Sequence, residues 1–344
     1  MASQISQSPP DPPSVRDIAA EGKPVVSATL PVLSLGRLRA GDAAENAKLL
    51  EACDTYGFFY LDLSPSPELL ADWVAMLSFA ENYFGQPIDD KMKDSCGSDT
   101  NGYEAVGTSA GATLTEVDAY ESLKISEAEM RGGKVAVSSP LVHEHSELFF
   151  RFIRSARGIA MMLLERLSDK LGQTGLSRLE NYHAEDKPSL STLSMFRYPK
   201  HQPGASGVGH NKHTDLGTFT FLLARQWGLQ VLSPDTDSWA FVAPRPNHAL
   251  INVGDSLRFI SGFRLASVVH RVLPVQETQH EDRYSIAYFL RMSNDVEYRD
   301  GSGELWSAQK WHDFKFETFR SPLGSDMSLQ ALTGGMEKDD RLVV

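Results

Sequence analysis

Apolar residues recur at helical spacing over residues 42–55, which predicts a helix closing at Gly57. A second amphipathic run predicts a helix from Pro67 to about Phe84, stopped by Gly85. The stretch from Asp94 to Thr115 is dense in Gly, Ser and Thr and reads as one long loop, of the kind that is functional or mobile more often than filler. From His143 to about Leu171 the one-sided apolar pattern is the strongest in the chain, with Gly172 at its end. After Pro188 the texture changes. Short apolar runs broken by turn residues continue to about Phe289, the signature of an antiparallel barrel or jelly roll. From Ser307 the chain turns helical again (Ala308 to Phe314) and ends in a polar tail. The expected class is α+β: a flexible Pro/Ser/Gln-rich leader over 1–28, a mainly helical region over 29–185, a β core over 186–295, and a C-terminal helix and tail over 296–344. There are no internal repeats.

Composition narrows the function classes. The chain has 344 residues, 41% of them apolar, enough for a sizeable core. A formal charge of −12 argues against a nucleic-acid groove, which needs a basic footprint. No run approaches the ~20 apolar residues that span a bilayer. The N-terminus lacks the basic and apolar regions of a signal peptide, and Arg341-Leu342-Val343-Val344 is no peroxisomal address. Two cysteines make no disulfide framework: Cys53 falls on an amphipathic pattern, Cys96 in the polar loop. The expectation is a cytoplasmic protein with no nucleic-acid or membrane partner and an oligomeric state the sequence leaves open.

The chemistry concentrates in His213-Thr214-Asp215, His270 and Arg283-Tyr284-Ser285. Residues two apart in extended chain project from one face, so His213 and Asp215 can grip an ion while Thr214 points away. His270 lies in another strand-like run, Ala266 to Leu273, with room between for several strands to return the chain. Two imidazoles and one carboxylate are the ligand set of a non-haem Fe(II) oxygenase with open coordination positions. Arg283 and Ser285, again two apart, present a guanidinium and a hydroxyl that together fit a carboxylate.

These motifs resemble the 2-oxoglutarate/Fe(II)-dependent dioxygenases, in the branch containing isopenicillin N synthase, and are similar to its fungal members that tailor secondary metabolites. Further likenesses are Pro31-Val32-Leu33-Ser34-Leu35, Tyr56-Gly57-Phe58-Phe59-Tyr60-Leu61, Ser191 to Pro199, Gly228-Leu229-Gln230-Val231 and Asn252-Val253-Gly254-Asp255, so the resemblance spans roughly 29–320. It implies a double-stranded β-helix core and an iron held by His213, Asp215 and His270. It also implies 2-oxoglutarate and O₂ as co-substrates, ascorbate as a reductant, and a small organic substrate that is hydroxylated, desaturated or rearranged. Arg283 and Ser285 would hold the distal carboxylate of 2-oxoglutarate, with Tyr198 reaching the same co-substrate. The family's frequent Asn near that tyrosine is Phe196 here, and an aromatic neighbour is Arg197. Because Arg197-Tyr198-Pro199 resembles the segment in isopenicillin N synthase, an iron oxidase using no 2-oxoglutarate is an alternative. A non-catalytic metal-binding jelly roll is another.

Other candidates rank lower. His210 is read as a loop residue near the site, because residues three apart on a strand face opposite sides. His143-Glu144-His145 opens a helix, where residues two apart diverge, and is set aside. Phe219, Phe221, Phe289 and Arg291 are either core or pocket. Tyr103 and Lys212 are candidate substrate contacts. No nucleophile elbow of a hydrolase stands out.

Overall fold

The apolar stripes fold where their spacing places them. Asp42 caps the first of the expected helices, accepting from the Glu45 N–H; it runs from Ala43 to Glu51 and continues as a π-turn to Tyr56. Gly57 then reverses the chain at φ +63°. Helix α1 (Pro67–Phe84) starts on a proline and ends at Gly85. Helix α2 (Ser146–Leu171) begins three residues later than the pattern suggested, because Pro140–Glu144 forms a separate short helix, and it is closed by Gly172 at φ +69°. The computed structural model describes residues 25–109, 117–133, 135, 137–200, 209–233, 238–276, 279–320 and 331–336. Most of the expected leader, 110–115 of the expected loop and most of the expected tail lie outside the described residues.

Twelve strands build two facing sheets. In chain order they are β1 (Val32–Ser34), β2 (Phe58–Asp62), β3 (Gly102–Glu104), β4 (Glu121–Ser126), β5 (Thr192–Tyr198), β6 (His210–His213), β7 (Phe219–Ala224), β8 (Leu229–Ser233), β9 (Ser238–Phe241), β10 (His248–Val253), β11 (His270–Val272) and β12 (Arg283–Leu290). The large sheet has the order β1-β2-β10-β7-β12-β5-β4-β3 and the small one β6-β11-β8-β9. Apart from the parallel edge pair β1/β2, the pairings are antiparallel, and the result is a jelly roll. Alternation along β12 shows how the layers are sealed. Ile286, Tyr288 and Leu290 join the core beneath α1 and α2, while Ala287 and Phe289 face the second apolar cluster between the sheets, with Phe58, Tyr60, Leu229 and Val231. A short hairpin (Glu297–Arg299 and Leu305–Ser307) leads into the C-terminal helix α3 (Ala308–Arg320).

The first half is mainly helical and also contributes β1 to β4, half of the large sheet. Two expectations need correcting. The stretch read as one long loop contains β3: Gly102 takes φ +89° and Tyr103 and Glu104 pair with Leu123 and Ser122. Its Gly/Ser-rich composition hid a strand only three residues long. The leader does not extend to 28, because Ala28 donates to Phe241 and the Phe241 N–H to Val26, each at 2.8 Å. No helix among the described residues is long and apolar enough to cross a membrane.

Gly57 generates a prediction. A Cβ there would stand 2.4 Å from the Ala266 carbonyl oxygen and 2.7 Å from Val268 Cγ2, at a positive φ. Gly57→Ala should lose about 3 kcal/mol, from left-handed strain and overpacking together. Urea denaturation measures it, and a loss under about 0.5 kcal/mol would show that the turn tolerates a side chain.

Candidate functional site

Strands β6 and β11 pair antiparallel with His213 directly opposite His270. Asp215 lies just beyond the end of β6. Its Oδ1 is 3.6 Å from His213 Nε2 and 3.7 Å from His270 Nε2, and one ligand atom from each residue lies within 4.8 Å of the others. All three side chains are buried. Each imidazole is oriented from behind: His213 Nδ1 donates to the Asn211 carbonyl at 2.7 Å and His270 Nδ1 to that of Val268 at 3.1 Å. Those bonds leave both Nε2 atoms as lone-pair donors towards the shared point. Asp215 is fixed in the same way. Its Oδ2 accepts from Asn252 Nδ2 at 2.6 Å and from the Thr220 hydroxyl, leaving Oδ1 free. Burial alone would raise the Asp215 pKa, but His270, His213 and the Asn252 bond outweigh it and hold the group well below the usual carboxylate range. Burial and the neighbouring His213 push His270 down to about 4, so at neutral pH it is an uncharged imidazole. The arrangement suits a divalent cation: an ionised carboxylate oxygen and two fixed imidazole nitrogens converge on one point.

Thr214 faces the opposite way, into a sealed polar network. The Lys315 ammonium, fully buried on α3, donates to the Thr214 carbonyl at 2.7 Å, to its hydroxyl at 2.8 Å and to the Asp255 carboxylate. Asp255 also accepts from Thr214 Oγ1 at 3.0 Å and Ser267 Oγ at 2.9 Å, and its N–H donates to the Asp215 carbonyl at 2.7 Å. The strand end carrying His213 and Asp215, the helix start at Asp255 and the approach to His270 are thus tied to one ammonium group. Lys315 was not among the residues singled out from the sequence. A lysine directly preceding Phe316 on an amphipathic helix was the available signal, but nothing local shows that the chain brings it behind His213.

Arg283, Ser285 and Tyr198 also meet. Arg283 stands opposite Tyr198 across β12 and β5, with its guanidinium carbon 4.8 Å from the phenol ring centroid. Its Nε donates to the Trp227 carbonyl at 3.0 Å, and its buried Nη1 has no partner among the described residues. Burial raises the Tyr198 pKa, opposed by the charge of Arg283 and by hydrogen bonds from Arg283 and Ser285. Gly228, at φ +136°, makes the space: a Cβ there would lie 2.9 Å from Arg283 Nε. Arg197, by contrast, pairs with Glu121 and Asp282, each at 2.8 Å. An orphaned, desolvated donor on a fixed arginine fits an absent anion.

A cavity opens in front of the triad. Its walls include His213, Asp215, His210, Tyr120, Phe196, Phe289, Arg291, Lys124 and, from α3, Phe316, Phe319 and Arg320. His210 corrects the sequence reading. It is a strand residue whose ring stacks on His213 at 4.5 Å and on Tyr120 at 4.6 Å. Between the pairs His270/His213 and Val272/His210 the register shifts, so β6 carries an extra residue, and that bulge brings positions three apart onto one face. Gly209 permits it, since a Cβ there would meet the Val272 carbonyl oxygen at 1.7 Å. Phe289 and Arg291 line the cavity, whereas Phe219 and Phe221 belong to the core beneath the helices. Tyr103 is buried with its hydroxyl donating to Glu121, and Lys212 is not part of the lining. Asp99, Glu104 and Ser109, from the stretch read as a loop, do reach it. His143 and His145 take no part: among the described residues, the one cluster of three or more metal-ligating side chains is His213, Asp215 and His270.

The chain is similar to several known proteins. Residues 182–292 match the 2OG-Fe(II) oxygenase superfamily and residues 30–138 the non-haem dioxygenase in morphine synthesis N-terminal family. The oxidoreductase vrtI of Penicillium aethiopicum is 52% identical over 92% of this chain and 76% of its own length. The 2-oxoglutarate-dependent dioxygenases frbH of a Dothideomycetidae species and gloE of Glarea lozoyensis are 50% and 46% identical, covering 92% and 93% of this chain and 98% and 97% of theirs. Among solved structures, the dioxygenase for auxin oxidation in rice superposes with a TM-score of 0.65 at 24% identity, covering 84% of this chain and 96% of that one. JOX2 in complex with 2OG, Fe and JA gives 0.69 at 22%, covering 90% and 91%. At that identity the likeness concerns the fold.

The network behind the triad is testable. Lys315→Met should cost about 3–5 kcal/mol, because it strands the Asp255 carboxylate in a dry interior. Adding Asp255→Asn should recover part of that loss by removing the charge. Denaturation midpoints of the two variants decide it: equal stabilities would mean that the ion pair does not carry the effect.

Proposed function

Because the chain belongs to the 2-oxoglutarate/Fe(II)-dependent dioxygenase superfamily, we propose that His213, Asp215 and His270 hold its Fe(II), while Arg283, Ser285 and Tyr198 receive the distal carboxylate of 2-oxoglutarate. The observation that carries this reading is the pairing of two separate fits. Three buried ligand atoms converge on one point, and a buried arginine on β12, in the other sheet, keeps an unmatched donor. Bound there, iron and 2-oxoglutarate supply an O₂-dependent oxidation of an organic C–H bond, with succinate and CO₂ as the co-products. The protein's own residues do the positioning. Asn252 and Thr220 keep Asp215 from swinging, the Asn211 and Val268 carbonyls set both imidazole tautomers, and Gly228 leaves the Arg283 guanidinium room to lie over the Tyr198 ring. The apolar layer around Phe58, Leu229 and Val231 keeps water from the space between the sheets.

The substrate is a small organic molecule, and the place of the enzyme is the tailoring of a secondary metabolite, a reading supported by fungal relatives at 46–52% identity. Free Cys53 and Cys96 support a reducing compartment, the cytoplasm.

Anaerobic titration of the Fe(II)-loaded protein with 2-oxoglutarate tests the assignment. The keto-acid chelate should give a visible charge-transfer band. Arg283→Ala should need about 10–100-fold more 2-oxoglutarate to reach it, the loss expected for charge-assisted hydrogen bonds. His213→Ala should bind little iron. No band at stoichiometric iron would sink the co-substrate assignment and leave an oxidase whose Arg283 holds the substrate's own carboxylate.

A further inference from the structure

The cavity before the triad has an uneven charge balance. Lys124 Nζ lies 2.6 Å from Glu104, and Arg320 pairs with Asp99 and, at 3.2 Å, with Glu104. Arg291 has no carboxylate within ion-pair distance among the described residues, although it is only 7% exposed. Its Nη1 is occupied by the Leu190 carbonyl and, at 3.2 Å, the Thr192 hydroxyl. Its Nε has no hydrogen-bond partner among the described residues. Burial, opposed by the more distant charges of Asp215 and Asp99, lowers its pKa only to about 10, so it stays charged at neutral pH. A cation kept this dry without an anion in contact is costly unless something meets it.

Strand geometry explains its position. Arg283, Ser285, Ala287 and Phe289 share the inner face of β12, and Arg291, one residue past the strand's end, lines the same cavity as Phe289. Arg283 belongs to the co-substrate. Arg291 shares its cavity with His213 and Asp215, between the rings of Phe289 and Phe316, whose centroids lie 5.6 and 5.7 Å from its guanidinium carbon. With Nη1 tied to Leu190 and Thr192, the Nε–Nη2 edge remains, and that edge is the fork that matches a planar carboxylate. One positive charge without an anion in contact suits a monoanion. The surrounding rings (Phe289, Phe316, Phe319 and Tyr120) suit a flat apolar body.

We propose that Arg291 anchors a carboxylate on the organic substrate, and that the substrate class is a small carboxylic acid with a flat apolar body. This rests on the iron and 2-oxoglutarate assignment above and adds the identity of the group that faces it. Arg291 is a specificity-determining residue. It selects which molecules are held beside His213 and Asp215, while Lys124 and Arg320 are neutralised by their own partners.

The test uses the full-length protein with Fe(II) and 2-oxoglutarate, first without air. The probes are phenylacetate, 3-phenylpropionate and 2-naphthoate, each matched with its primary amide. Binding is read by thermal shift and by perturbation of the charge-transfer band, and succinate release is followed after air is admitted. At least one acid should bind about tenfold or more tighter than its amide and accelerate succinate formation. Arg291→Gln should shrink the acid's advantage to about threefold or less. The wild-type comparison needs no variant and stands even if Arg291→Gln fails to fold. Amides binding as well as acids, a full acid preference surviving in Arg291→Gln, or no acid binding at all would each overturn the proposal. If the wild-type band with 2-oxoglutarate is present in those cases, the co-substrate assignment survives and Arg291 alone is misassigned; if the band is absent, the earlier assignment has failed.

Discussion

The ammonium of Lys315, buried with the Asp255 carboxylate and the Thr214 backbone, is the constraint on which the site depends. A metal site made from the end of one strand and the start of another needs both held in one place before an ion arrives, since carboxylate and imidazoles repay their desolvation only when they converge. The network meets that need from behind. It joins Thr214, between two ligands, to Asp255, whose N–H grips the Asp215 carbonyl, and to Ser267, shortly before His270. Glycines let these segments approach: a Cβ at Gly254 would meet the Gly217 carbonyl at 2.4 Å, and one at Gly334 the Asp255 carboxylate at 2.6 Å.

How much of this was legible in the sequence follows from the range of each interaction. His213, Asp215, Arg283 and Ser285 could be selected because the period of extended chain is two, and both pairs obey it locally. The long helices were legible because their apolar stripes run for several turns. What escaped depended on partners distant along the chain. Strand β3 is three residues of unremarkable composition that become a strand only beside β4. Lys315 lies one residue past the helical stretch read from the sequence, and its partners Thr214 and Asp255 are far away along the chain.

His210 shows a different limit. The rule that residues three apart face opposite ways is correct for a regular strand, and β6 is not regular. A bulge is a property of a pair of strands, set by how many residues each contributes between two matched positions. The only local trace was Gly209, a residue whose need for a bare Cα becomes apparent once the Val272 carbonyl is seen pressed against it.

Helix α3 holds two jobs on adjacent positions. Lys315 faces the supporting network, while Phe316, Phe319 and Arg320 face the cavity. The same rigid rod therefore fixes the distance between the ligand scaffold and whatever rests in front of it. A duplicated gene drifting towards a new substrate can exchange these three cavity positions without removing a hydrogen bond that holds Thr214 or Asp255. It cannot replace the helix wholesale without also loosening the strand ends behind it. Divergence in such a lineage would advance by single side chains on one face of a conserved rod, with the lysine as its pivot.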